Sequence, residues 1–251
     1  MCCTYQIFLL PLRTVVPTWV AIIVETMKRK IVYVLWLAVL LSLNTTTAQN
    51  LTPDPTVQNL TKCYSWLCND SCYEAYRNYF DSFPSTFGDF RKIFGYEELA
   101  NGEIKYGELY SESIHYITKF FQTNSKIPLN DFAEKVIRLC IDGNWQSDGV
   151  NYLHMNVVNI VTSSIPYQDC YYDSPEFQCY NDTLKDALLF QLVQHNGDDI
   201  LSFWQFYLDH SFAMPVDNDL YHRAKSIIRD YPILTRQLDE AYSNLQSRYA
   251  P

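Results

Sequence analysis

Apolar side chains recur every three or four positions along most of the chain, the pattern of helices that bury one face. Over 71–83 the aromatic face is Tyr73, Tyr76, Tyr79, Phe80 and Phe83, and Pro84 ends the run. A short helix is expected over 86–94, stopped by Gly95. Tyr106, Tyr110, Ile114, Ile117 and Phe121 predict one amphipathic helix. After Pro128, Asn130 reads as an N-cap, and Phe132, Ala133, Val136, Ile137, Cys140 and Ile141 draw a stripe that Gly143 closes. Val150, Leu153, Val157, Ile160 and Val161 follow. Their β-branched residues would also suit a strand, but polar neighbours and the lack of a hairpin partner favour a helix.

Further stripes are Leu184, Leu188, Leu189, Leu192 and Val193, capped by Asp182, then Ile200, Phe203, Trp204, Tyr207 and Leu208. Beyond Pro215 lie Leu220, Ala224, Ile227 and Ile228. Pro232 takes a first-turn position ahead of Leu234, Leu238, Ala241, Tyr242, Leu245 and Tyr249. The expected fold is all-α, an irregular multi-helix bundle or a stacked helix-pair array over 63–251. No fixed repeat period demands a solenoid. The 7 glycines all lie beyond residue 87, which disfavours a turn-rich β chain. One stretch, 163–182, breaks the helical pattern with Pro166, Pro175, Cys170, Cys179, Tyr167, Tyr171, Tyr172 and Tyr180, and is too long for a mere connector.

Upstream of these helices the chain reads as a processing signal. Met27 is followed by Lys28, Arg29 and Lys30, an apolar run over 31–43, and small residues Thr46 and Ala48 at a cleavage position. The run is about 13 residues, short of the roughly 20 that span a bilayer. Residues 1–26 read as an upstream extension, 27–48 as a signal peptide and 49–62 as a flexible Thr, Asn, Pro and Gln lead-in. The expected location is therefore exported, periplasmic or secreted, with membrane contact only through the signal.

Removing 1–48 takes away Arg13, Lys28, Arg29, Lys30 and Glu25, leaving 15 basic and 27 acidic residues, a net charge of −12. Such a surface repels nucleic acid and anionic lipid and favours a basic protein partner or a cation, although plain solubility is the simpler account of it. Six cysteines remain: Cys63, Cys68, Cys72, Cys140, Cys170 and Cys179. An even number in an exported chain points to disulfides. Cys170 and Cys179 are expected to staple the tyrosine loop, with further bonds among the other four. A zinc site from Cys63, Cys68 and Cys72 is the alternative, against which stands their unusual spacing. No metal or cofactor is expected.

The chain has no HExxH, P-loop, GxGxxG, EF-hand or GxSxG motif. Its densest polar stretch is 142–154, where Asp142, Asp148 and His154 are weak catalytic candidates beside Trp145. The competing account is an inter-helix turn, with Gly143 ending one helix, Asp148 capping the next and Trp145 packing back. Trp145 and loop residues Tyr167, Tyr171, Tyr172 and Tyr180 are the binding candidates, because tyrosine on a stapled loop is rigid and amphipathic.

The segments SFPSTFGDFRKIFGYEE, LYSESIHYITKFF, IDGNWQSDGVNYL and SFWQFYLD resemble a family of uncharacterised α-helical exported proteins of Bacteroidetes, over roughly residues 73–245. The resemblance implies the fold class and compartment and transfers no active site. The leading expectation is thus an exported, acidic, non-enzymatic binding module, one form being an immunity-like protein that neutralises a basic toxin. The alternatives are a helical hydrolase around Asp142, Asp148 and His154, and a structural envelope protein.

Overall fold

The computed structural model describes residues 54–143, 147–162, 182–209 and 218–249, all within one compact unit, Pro53–Pro251. The chain is predominantly helical, with ten α-helices and one small hairpin among the described residues.

Helix α1, Pro55–Asn69, starts where Asp54 accepts a hydrogen bond from the Thr56 N–H at 2.8 Å and Pro55 supplies a pre-set first turn. Val57, Leu60, Cys63 and Leu67 are its buried face. Over 55–62 this helix replaces the flexible lead-in expected for 49–62, of which 49–53 lie outside the described residues. Polar and proline composition hid the helix, yet its buried positions keep three- and four-residue spacing.

Helix α2, Tyr73–Ser82, packs on α1. The Thr86 hydroxyl caps α3, Phe87–Phe94, accepting from the Asp89 N–H at 3.2 Å while donating to the Asp89 carboxylate at 2.8 Å. Phe87, Phe90, Ile93 and Phe94 all turn inward.

A two-stranded antiparallel hairpin follows, β1 (Tyr96–Glu98) and β2 (Ile104–Tyr106), with Tyr96 opposite Tyr106 and Glu97 opposite Lys105. Its turn closes through the Gly102 N–H on the Leu99 carbonyl at 2.8 Å and the Leu99 N–H on the Glu103 carbonyl at 2.7 Å. Gly102 sits at φ +80, where a side chain would be strained. The predicted helix running from Tyr106 is therefore corrected. Tyr106 lies in β2, Tyr110 in a 3-10 turn (Tyr110–Glu112), and α4 begins only at Ser113 (Ser113–Gln122). Gly107 forces the break, because a Cβ there would lie 2.3 Å from the Ile93 carbonyl oxygen.

The remaining helices are α5 (Leu129–Cys140), α6 (Asp148–Thr162), α7 (Asp182–Leu192), α8 (Gly197–Leu208), α9 (Asn218–Ile227) and α10 (Pro232–Tyr249). Pro128, not Asn130, occupies the N-cap of α5. Helices α4 and α6, α5 and α7, and α8 and α10 pack on one another. Aromatic rings fill the interior: Phe83 stacks on Phe120 at 4.3 Å, Phe120 on Phe132 at 5.1 Å, and Tyr64 on Tyr116 at 4.2 Å. Such pairs contribute about 0.5–1.5 kcal/mol each beyond area burial. The buried Tyr79 hydroxyl donates to the Tyr116 carbonyl at 2.7 Å, so its polar end is satisfied. No helix among the described residues is long and apolar enough to cross a membrane.

Cys63, Cys68, Cys72 and Cys140 are free thiols, which corrects the expected bonds among them. Cys68 lies near the end of α1 while Cys72 precedes α2, so the two do not share a helix. Cys63 faces the core from α1, and Cys140 is fully enclosed at the end of α5. Cys170 and Cys179 lie outside the described residues.

Candidate functional site

Asp142, Asp148 and His154 fall into two different environments. Asp142 has a positive φ of 60, just past the end of α5, and its N–H donates to the Ser202 hydroxyl at 2.8 Å. That is a helix-terminating role, and its side chain faces solvent. Asp148 is the exposed first residue of α6, where a carboxylate complements the helix dipole. The cap itself comes from Ser147, whose hydroxyl accepts from the Val150 N–H at 3.3 Å.

His154, by contrast, is buried. Its Nε2 lies 2.9 Å from the Tyr207 carbonyl, and its ring meets Phe206 edge-on at 5.5 Å. A carbonyl only accepts, so Nε2 carries the proton in this bond. The contact ties α6 to α8. The structure thus gives two solvent-facing carboxylates and one imidazole committed to the core. Trp145, Tyr167, Tyr171, Tyr172 and Tyr180 lie outside the described residues.

Two polar clusters that sequence reasoning missed are well formed. In the first, His195, between α7 and α8, sits between two carboxylates. Its Nε2 is 2.9 Å from Glu134 on α5, and its Nδ1 is 3.3 Å from Asp199 on α8. Arg138 donates to the other Glu134 oxygen at 2.7 Å, and Asn196 donates to Asp199 at 2.9 Å. Burial opposes the charge on Glu134, but the bonds from His195 and Arg138 outweigh it and hold the carboxyl below its ordinary value. His195 is 61 positions from Glu134, so no local spacing could reveal the pair.

The second is Lys135, an almost fully buried cation on α5. Its ammonium donates to the Phe80 carbonyl at the C-terminal end of α2, and it lies 4.6 Å from the centre of the Phe80 ring. The last turn of a helix leaves carbonyls without partners, and a cation there also meets the negative end of the dipole. Burial nonetheless dominates and pulls the amine down to about 8. Among the described residues, no group of three or more His, Cys, Asp or Glu side chains is arranged to hold a metal.

Among the described residues, the hairpin groups three of the exposed large apolar side chains. Leu99, Ile104 (49 % exposed) and Tyr106 (54 %) face solvent. Tyr106 packs on Tyr110 at 4.6 Å, and Tyr96 lies 6.2 and 6.4 Å from these two rings. The same segment carries exposed Glu97, Glu98, Glu103, Glu108 and Glu112, with Lys105 the only base between Tyr96 and Glu112. Asp148 belongs to the same neighbourhood. Partial burial first, and then the Asp148 charge, push the Tyr110 hydroxyl above its ordinary value. A sequence signal existed in Asn101–Gly102, a turn dipeptide set between Leu99 and Ile104. The helical spacing of Tyr106, Tyr110 and Ile114 masked it.

Comparison of the chain with family models, with curated proteins and with solved structures gave no match.

Proposed function

We propose that the chain is an exported, acidic, helical interaction module that engages a basic protein through the tyrosine hairpin. The observation that carries this is the cluster of Tyr96, Tyr106 and Tyr110 with Leu99 and Ile104, in a segment that holds five exposed glutamates and one lysine. Aromatic and aliphatic side chains left in water form a contact patch. The carboxylates select the sign of charge that settles on it and accelerate encounter. The net charge of −12 after removal of the leader acts in the same direction over longer range. In this reading the helices form an irregular bundle that holds the hairpin, and the Cys170–Cys179 loop, closed by a disulfide, supplies a second tyrosine-rich contact. An immunity-like role against a basic toxin is one form of it.

The test is capture of binding proteins from an extract of the source organism. The unaltered chain is compared with a triple variant, Glu97→Lys, Glu98→Lys and Glu103→Lys. Loss of one basic protein from the variant, and its release from the unaltered chain by raised salt, supports the proposal. A partner retained equally by both chains refutes the hairpin as the contact.

A further inference from the structure

Resting on that reading, the hairpin also shows how a partner would be held. The Gly107 N–H bonds the Gly95 carbonyl at 2.8 Å at one end of the ladder, and the Leu99 N–H bonds the Glu103 carbonyl at 2.7 Å at the other. Hydrogen-bonded and non-bonded pairs alternate in an antiparallel ladder. Between those ends, Glu97 and Lys105 are therefore the bonded pair, while Tyr96 with Tyr106 and Glu98 with Ile104 are non-bonded pairs. It follows that the N–H and C=O groups of Ile104 and Tyr106 point away from β1. On the other side, β1 packs against α3. Among the described residues no strand pairs with the outer edge of β2, and Ile104, Lys105 and Tyr106 are all exposed.

We propose that this edge accepts a third strand, an extended basic segment of the protein partner, paired through the outward N–H and C=O groups of Ile104 and Tyr106. Main-chain bonds of this kind give affinity, and side chains flanking the edge give selectivity. Opposed residues of an antiparallel pair share a face, so Tyr96, Tyr106, Glu98 and Ile104 lie together and Glu97 with Lys105 lie on the other side. A lysine or arginine of the incoming strand on the first face meets the Tyr106 ring, which attracts cations, with Glu98 nearby. An apolar residue two positions along covers Ile104. Glu103 and Glu108 flank the two ends of the edge. An acidic strand would meet like charge at Glu98, Glu103 and Glu108, with Lys105 the one base along the edge. The strand is three residues long, so the binding is modest in strength and reversible.

The experiment uses the full-length protein and an eight-residue capped peptide that repeats lysine, threonine, valine, threonine, so that lysine and valine alternate along one face of the strand. Its control is the same peptide methylated at every backbone nitrogen, equal in charge but without main-chain donors. Amide hydrogen exchange is followed residue by residue. The expected result is exchange slowed at least tenfold at Ile104 and Tyr106 at saturation, with the methylated control binding at least fivefold more weakly. Equal binding of the two peptides, or binding with unchanged exchange at those amides, overturns strand addition. It leaves intact the acidic hairpin as a contact for basic partners. If neither peptide binds even at low ionic strength, strand addition and the basic-partner reading fail together.

Discussion

Asp142 and Lys135 are both charged residues in unusual settings, and each makes a sharp prediction. The backbone of Asp142 is in the left-handed region, which disfavours most side chains by roughly 1–2 kcal/mol and glycine not at all. Asp142→Gly should therefore keep or raise the denaturant midpoint, and Asp142→Val should lower stability by about 1–2 kcal/mol. A fall with glycine as large as with valine would show that the carboxylate itself is needed.

For Lys135 the direction with pH is unusual. Its folded value of about 8 lies below the 10.5 of the free side chain. Between these values the unfolded chain holds the proton that the folded chain has released, so stability rises with pH. Unfolding free energies of the unaltered chain and Lys135→Met, measured from pH 7.5 to 10, should diverge, the unaltered chain gaining by up to roughly 3 kcal/mol. Parallel curves would mean that the amine stays charged in the fold. Below pH 8 the group opposes folding by its burial while satisfying the Phe80 carbonyl. Removing it therefore trades one loss for the other.

Among the elements, α5 and α8 are joined by the Glu134–His195–Asp199 bridge, and the hairpin is seated on α3 by Gly107. Glu134→Gln and His195→Gln, alone and together, should show a coupling energy of about 0.5–3 kcal/mol, the range for residues within one polar network. Because the Glu134 carboxyl is held below its ordinary value of 4.5, its contribution is complete above that value. It fades as pH falls through the lower folded value. Glu134→Gln should thus flatten part of the acid limb of the stability curve and leave the neutral region parallel. At Gly107, a methyl group would lie 2.3 Å from a backbone oxygen of α3, which cannot yield as a side chain tip can. Gly107→Ala should reduce stability by roughly 2 kcal/mol or more, or lift the hairpin off and abolish its protected amides.

These two junctions also mark where the sequence stops being legible. Long stripes such as Phe132, Val136, Ile137 and Cys140 predict α5 because burial on one face imposes the helical period. A three-residue strand is too short to show alternation, and Tyr106, Tyr110 and Ile114 happen to keep helical spacing across a turn, a 3-10 segment and a helix start. His195 meets Glu134 only after α5 and α7 have packed. The Asp142, Asp148 and His154 cluster was legible as polar density. What that density could not convey is that His154 faces the core while the two carboxylates end one helix and begin another.

For the whole molecule, the cysteines connect fold to compartment. Cys63 and Cys140 belong to the core, and burial pushes the Cys140 thiol far above its ordinary value, so it is inert while the chain is folded. Cys68 is exposed and should react first with a thiol reagent. Alkylation with mass detection then separates two questions. Labelling of Cys140 should follow global unfolding, because its side chain is fully buried in the core. In denaturant without reductant, a chain with Cys170 joined to Cys179 takes up label at Cys63, Cys68, Cys72 and Cys140 but not at Cys170 and Cys179, which reductant adds. Label at Cys170 and Cys179 before reduction would remove the proposed staple, and with it the cysteine argument for the proposed oxidising compartment. The helical core and the acidic hairpin would stand unchanged, since neither depends on a disulfide.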